Sequence, residues 1–393
     1  MVSLHELVSL SEEEKERKGI AATPGEIAQQ PKTWEGTRRI FEKQSPELQA
    51  FLISAGVTGP LAQRPTIVMI GAGTSDYIGR VLELLLRTEW GCETLVVAST
   101  DLLANMAHYV VPGRRYLWIS FSRSGDSPEG VAVLTQAIEK YPEISHMVVT
   151  CNAQGRMAAI GRSHASAHVT VLDDAVNDRG LAMTSSFSNM VVFGQCLAHA
   201  FSNESYLPVF PKIVRAGQAF LPVAAECARQ LAPSMYQTVC VLGSGALTGV
   251  ARESALKISE MTAGRVRTMT ESVLGLRHGP MAALNAETLL VCFVSSDQRL
   301  QRYEADLLRE IGGKGIVAQR VVVGPEENAV FAGCYERYLA IPGNIPDLYC
   351  PPIDVLLGQV LGLYFSLAHN LRPDAPSPGG VITRVVGDFK IYV

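Results

Sequence analysis

The sequence predicts an α/β protein of two tandem domains, each a parallel sheet with helices on both faces. Three observations predict it. Short continuous runs of apolar and β-branched residues alternate with helical patterns, as buried parallel strands and their crossover helices do. The 393 residues exceed what one ordinary core holds. A strand, glycine turn and helix open twice: Gly71 matches Gly243, Gly73 matches Gly245 and Arg80 matches Arg252, always 172 positions apart, which reads as a duplicated unit.

Composition sets the outer bounds. An apolar fraction of 47% and a charged fraction of 18% supply a sizeable core and exclude a disordered chain. Lys and Arg number 34 against 38 Asp and Glu, for a net charge of −4 with no long basic block. Nucleic acid and anionic membrane are therefore not expected as partners. No eighteen-residue uncharged apolar stretch occurs, and the first residues lack a basic segment followed by an apolar one, so a cytoplasmic location is expected. None of the eight cysteines forms a CxxC pair, and several lie inside apolar runs such as Val239-Cys240-Val241. They read as buried, reduced thiols rather than a disulfide framework or a cysteine zinc site.

Along the chain, residues 1–50 form a polar, helical lead-in. Ser11 precedes Glu12-Glu13-Glu14 as an N-cap with an acidic first turn. Thr23 is the expected cap of a second helix, with Pro24 at N1 and Glu26 at N3, and Pro31 is expected to end it. The first α/β domain is assigned to residues 51–212. Thr66 to Ile70 is a strand, Gly71-Ala72-Gly73-Thr74-Ser75 a turn, and a helix follows. Tyr116 to Phe121 is the next strand, Ser122 to Ser127 its turn and Pro128 to Lys140 its helix, followed by a strand over His146 to Cys151. The second domain, 213–372, opens with Val239 to Leu242, Gly243-Ser244-Gly245 and a helix reaching about Ala263. Residues 373–393 begin with a Pro/Gly-rich tail.

The most informative segment is Ser122-Arg123-Ser124-Gly125-Asp126-Ser127-Pro128. Three hydroxyls, a glycine and the amides of a helix start suit a phosphate: the donors point at the anion and the helix dipole favours negative charge. Arg123 adds a charge-assisted donor. The competing reading is a capped turn with Ser127 as N-cap. In Gly71-Ala72-Gly73-Thr74-Ser75, Asp76 stands where a dinucleotide motif needs its third glycine, which argues against that cofactor. Glu253, Lys257 and Glu260 fall at i, i+4 and i+7, on one helical face. Their competing reading is an ordinary ion pair on a solvated helix. His278 sits in Leu276-Arg277-His278-Gly279-Pro280, an irregular segment. A carboxylate and an imidazole near a phosphate loop suit proton transfer on a sugar phosphate. His164 and His168 are four apart but lack a third ligand, so no metal is expected.

These residues resemble the sugar isomerase (SIS) family. The resemblance rests on Ser122-Arg123-Ser124-Gly125-Asp126-Ser127 in the first unit and Glu253, Lys257, Glu260 and Arg277-His278-Gly279-Pro280 in the second. It spans about residues 20 to 393. The chain is similar to the isomerase half of glucosamine-6-phosphate synthase and, more closely, to the AgaS-type galactosamine-6-phosphate deaminases, also described as tagatose-6-phosphate ketose/aldose isomerases. The resemblance implies two flavodoxin-like SIS domains and no cofactor or metal. It implies that Ser75, Ser122, Arg123, Ser124 and Ser127 hold the substrate phosphate. Glu260 would be the base that moves a proton between C1 and C2, and His278 the ring-opening histidine, contributed in the family by the partner subunit of a dimer. Glu253 and Lys257 would support them. Gly73, Thr74, Thr184, Ser185 and Arg384 are further substrate-contact candidates. The synthase has Gln at the position of Arg123, and a C-terminal lysine where this chain offers Thr383-Arg384 and, further on, Lys390.

The implied reaction converts galactosamine 6-phosphate to tagatose 6-phosphate and ammonia, in a homodimer with a shared site or a higher homo-oligomer. The alternatives are a plain ketose/aldose isomerase, a fructosamine-6-phosphate deglycase, and a non-catalytic sugar-phosphate-binding regulator.

Overall fold

The computed structural model describes every residue except Asn203, Pro378, Val386, Asp388, Phe389 and Val393; Pro378 of the predicted tail thus lies outside the described residues. The chain divides into two compact units. One comprises residues 32–178, 185–207 and 380–393, the other residues 1–31, 179–184 and 208–379. Both units are therefore built from several chain segments rather than from one continuous stretch each.

Three helices lead in: α1 (Leu4–Ser9), α2 (Glu12–Lys18) and α3 (Thr23–Ser54). Ser11 caps α2, accepting from the Glu14 amide, and Gly19 closes it in the left-handed conformation. Pro31 does not end α3, contrary to the sequence expectation; the helix runs 32 residues to Ser54. A proline inside a helix deprives the carbonyl four residues back of its donor. Here that carbonyl is Ile27 O, and the buried Gln30 side-chain amide donates to it at 3.1 Å. The start of α3 also differs. Thr23 is already helical, and the Ala22 and Thr23 amides donate to the Asp374 carboxylate at 3.0 and 2.8 Å. Asp374, in the predicted tail, thus supplies the cap. Glu26 accepts from the Arg179 and Gly180 amides instead of folding back on the helix start.

The first unit holds strands β1 (Thr66–Gly71), β2 (Thr94–Ala98), β3 (Tyr116–Ser122), β4 (Ser145–Thr150) and β5 (Ala167–Val171). They pair in parallel in the order β2-β1-β3-β4-β5. Every residue of β1 and β3 is buried, as strands covered on both faces require. Helices α4 (Thr74–Trp90), α5 (Ser99–Tyr109), α6 (Pro128–Lys140), α7 (Arg156–Arg162) and α8 (Ser185–Ala198) follow.

The second unit adds α9 (Phe210–Leu231), β6 (Thr238–Leu242), α10 (Leu247–Met261), β7 (Arg267–Glu271), β8 (Thr288–Phe293), α11 (Gln298–Lys314), β9 (Gln319–Gly324), β10 (Arg337–Ala340) and α12 (Pro351–Ala368). Its parallel sheet has the order β10-β9-β8-β6-β7, the same connectivity as the first sheet. The turns after β1 and β6 are also alike. A Cβ on Gly71 would lie 2.2 Å from the Ser75 carbonyl carbon, and one on Gly243 would lie 2.3 Å from Leu247 O. Gly73 and Gly245 take φ values of 55° and 58°, where glycine alone is unstrained. By length and composition α12 could cross a membrane, but 89% of that stretch is buried and Asp354 interrupts it. It is a core helix, packed on α9 and α10. All eight cysteines are buried as free thiols.

Candidate functional site

In the first unit the strand order reverses between β1 and β3, which pair directly. Open parallel sheets bind ligands outside the carboxyl ends of strands at such a reversal. The two turns singled out in the sequence, Gly71 to Ser75 and Ser122 to Ser127, both leave the carboxyl ends of these neighbouring strands. Thr74 and Ser75 are buried in the first turn of α4, and Gly73 is exposed at its start.

The Ser122–Ser127 turn is held by its own hydroxyls. Ser122 Oγ accepts from the Gly125 amide at 3.0 Å, Ser124 Oγ from Asp126 at 3.2 Å and Ser127 Oγ from Gly130 at 3.2 Å. Ser127 is the N-cap of α6, with Pro128 at N1. The capped-turn reading and the anion reading are thus compatible. A hydroxyl that accepts one amide keeps its own hydrogen to donate. The difference from the sequence expectation is that the Gly125, Asp126 and Gly130 amides are already engaged, so these three hydroxyls carry more of any anion binding than those amides do.

The next strand locks the turn. Thr150 Oγ1 donates to Arg123 O at 3.2 Å, Asn152 Nδ2 to Ser124 O at 2.9 Å, and Asp126 Oδ1 accepts from the Arg156 amide at 2.8 Å. Sequence reasoning missed Thr150, Asn152 and Asp126 as supports. The available signal was position: Thr150 and Asn152 lie at another strand's carboxyl end on the same sheet edge, and Asp126 lies within the turn itself. Arg123 is buried, and its Nη2 donates to Arg384 O. Arg384 in turn donates from Nε to Asp178 O at 2.7 Å and from Nη2 to Asn177 Oδ1 at 2.8 Å. Asp178 caps α8 by accepting the Ser185 and Ser186 amides, both at 2.9 Å. Ser185 is fully buried in this role.

In the second unit, Glu253, Lys257 and Glu260 lie on α10. They are not a solvated surface row: the Glu253 and Lys257 side chains have 0% exposure and Glu260 has 24%. Lys257 Nζ lies 3.5 Å from Glu253 Oε1 and is also ion-paired to Glu260. The face is buried because α12 crosses α10 on glycines. A Cβ on Gly358 would lie 2.3 Å from Ser254 Cβ, and one on Gly362 would lie 2.9 Å from Lys257 O. An ammonium this deep needs carboxylate partners, and of the two described here only Glu260 reaches toward an accessible surface. Thr184 belongs to this unit and is fully buried, its carbonyl accepting from Gln359 Nε2 at 3.2 Å.

His278 follows a short 3₁₀ turn, its amide donating to Gly275 O at 2.9 Å, and the residue is exposed. Among the described residues its ring makes no hydrogen bond. Arg277 beside it pairs with Glu310 at 3.1 Å. Of the other paired histidines, His164 Nδ1 meets Ser166 Oγ at 3.0 Å and His168 lies against the Phe51 ring.

No family model matches the chain. An AgaS protein of Streptomyces coelicolor is 37% identical over 372 residues, covering 94% of this chain and 95% of that one. The D-galactosamine-6-phosphate deaminase AgaS of Escherichia coli is 32% identical over 375 residues, with the same coverage of 94% and 95%. The crystal structure of tagatose-6-phosphate ketose/aldose isomerase from Escherichia coli superposes with a TM-score of 0.82 at 31% identity, covering 92% of this chain and 95% of that one.

Proposed function

This chain belongs to the AgaS family of sugar isomerase (SIS) proteins, and from that premise we propose that it is a deaminase and isomerase of galactosamine 6-phosphate, yielding tagatose 6-phosphate and ammonia. The observation that carries the reading is the buried Lys257 holding two carboxylates on α10, of which only Glu260 is partly accessible.

Ser75, Ser122, Arg123, Ser124 and Ser127 hold the phosphate at the reversal of the first sheet. His278, contributed from one subunit of a homodimer to the site of the other, assists opening of the sugar ring. Glu260 removes the C2 proton of the open aldose and a proton is returned at C1. The aldehyde and amine thereby become an enolamine and then a C2 imine bearing a C1 hydroxymethyl group. Water adds to the imine carbon and ammonia leaves, giving the ketose without net redox change. Glu253 and Lys257 position Glu260. Gly73, Thr74, Thr184, Ser185 and Arg384 shape the surroundings of the two turns and of the sugar. We assign residues 51–212 to the phosphate-holding domain and 213–372 to the catalytic one, as copies of one repeat, and place the protein in the cytoplasm, in keeping with eight buried free thiols.

The test is ammonia release from galactosamine 6-phosphate by wild type and by Glu260→Gln. Loss of turnover with retained phosphosugar binding is expected; turnover like wild type would refute the base assignment. Running tagatose 6-phosphate, glucosamine 6-phosphate and fructosamine 6-phosphate in parallel separates deamination from plain isomerisation and from deglycation.

A further inference from the structure

The first unit carries a cavity at the edge of its sheet opposite the two turns. It encloses about 610 Å³ and is open to solvent. It lies at the amino ends of three strands: Thr66 begins β1, Glu93 directly precedes β2 and Arg115 directly precedes β3. At about 3.3 Å per residue, β1 and β3 separate this cavity from the Ser122–Ser127 turn by roughly 20 Å.

Its charge is lopsided. Arg64, Arg114 and Arg115 line it against one carboxylate, Glu93, in a chain whose net charge is −4. Part of each guanidinium is spent on the scaffold. Arg64 donates from Nε to Gly59 O at 2.9 Å and from Nη1 to Trp90 O, the last carbonyl of α4, at 2.5 Å. Arg115 donates from Nη2 to Ser54 O, the last carbonyl of α3, at 3.1 Å. Arg114 pairs through Nη2 with Glu93 at 2.6 Å. Capping two helix ends accounts for those N–H groups. It does not account for the rest of the three forks, which make no other hydrogen bond among the described residues. The bonds that are made fix Arg64 and Arg115 in place, so less side-chain entropy remains to be lost when an anion arrives.

We propose that this cavity is a second anion site, which takes a small dianion of the phosphate or phosphate-monoester class. An oxyanion in this cavity would be met by guanidinium groups able to give charge-assisted, partly bidentate hydrogen bonds, for which arginine is best suited. The site is separate from the sugar-processing machinery and does not depend on the deaminase reading.

The test uses the full chain with the serine turn disabled, Ser122→Ala/Ser124→Ala, titrated calorimetrically with inorganic phosphate and, separately, with galactosamine 6-phosphate. At least one is expected to bind with one equivalent per chain. Which of them binds identifies the source of the dianion. Adding Arg114→Gln/Arg115→Gln is expected to weaken that binding by about tenfold or more, as the loss of charge-assisted bonds predicts. Binding of neither anion, or binding indifferent to the arginine changes, overturns the proposal. Should circular dichroism show the arginine variant unfolded, Glu93→Gln decides: removing the one acid is expected to tighten binding several-fold, and unchanged affinity overturns the site. The deaminase reading is tested by turnover, so either can fail without the other.

Discussion

Replacing Lys257 by Met tests the buried charge cluster directly. The unbranched side chain is kept as far as Cε and the ammonium is lost. Glu253, with no exposed side-chain surface, then loses an ammonium 3.5 Å away, whereas Glu260, with 24% of its side chain exposed, can rehydrate. At that separation and an effective dielectric of about 20, the lost Coulomb attraction at Glu253 is about 5 kcal/mol. Breaking a buried pair from one side typically costs about 3–5 kcal/mol. Urea unfolding followed by far-ultraviolet circular dichroism should show a loss of that size. The asymmetry between the two carboxylates supplies the sharper test. Glu253→Gln in the Lys257→Met background should recover most of the loss, because it removes the buried carboxylate that lost its ammonium, while Glu260→Gln should recover little. A Lys257→Met protein within about 1 kcal/mol of wild type, or equal rescue by both glutamines, would refute the account of a buried, asymmetric cluster.

Other expectations follow from the same reasoning. Glu304 accepts from the Ser295 amide at 3.0 and 3.2 Å, yet burial pushes its carboxyl up to about 8 from an ordinary value near 4.5. The folded state therefore holds this proton more tightly, so its stabilising contribution is complete below about pH 4.5 and is lost as pH rises through about 8. Glu304→Gln should raise the thermal midpoint more at pH 8.5 than at pH 5, with an upper bound of about 5 kcal/mol; an equal effect at both would contradict the burial argument. Asp374→Ala removes the acceptor for two amides at the start of α3 and should cost about 1–2 kcal/mol in urea unfolding. Gly71→Ala drives a Cβ to 2.2 Å from the backbone of Ser75 and should destabilise by about 1–3 kcal/mol, with a changed thermal midpoint as the readout; no change would show that the turn can relax.

Local chemistry was legible in the chain. The apolar strands, the glycine turns, Ser11 and Ser127 as caps, and the i, i+4, i+7 spacing of Glu253, Lys257 and Glu260 all follow from interactions a few residues apart. So did the fold class, because buried parallel strands alternating with helices leave few arrangements. The motif residues also carried the family resemblance, which relatives spanning nearly the whole chain show to be membership.

Tertiary structure alone decided the rest. Pro31 looks like a helix stop until the Gln30 side chain is seen to take over the orphaned Ile27 carbonyl. The cap of α3 comes from Asp374, about 350 positions away. Whether the Glu253–Lys257–Glu260 face meets water or protein depends on the glycines of α12, which let that helix close over it. The last two of these outcomes hang on a partner remote in sequence, and in the first Gln30 is itself tied to the remote Gln359. Periodicity and capping report only the neighbours within a turn or two, while burial and long-range hydrogen bonds are properties of the folded chain.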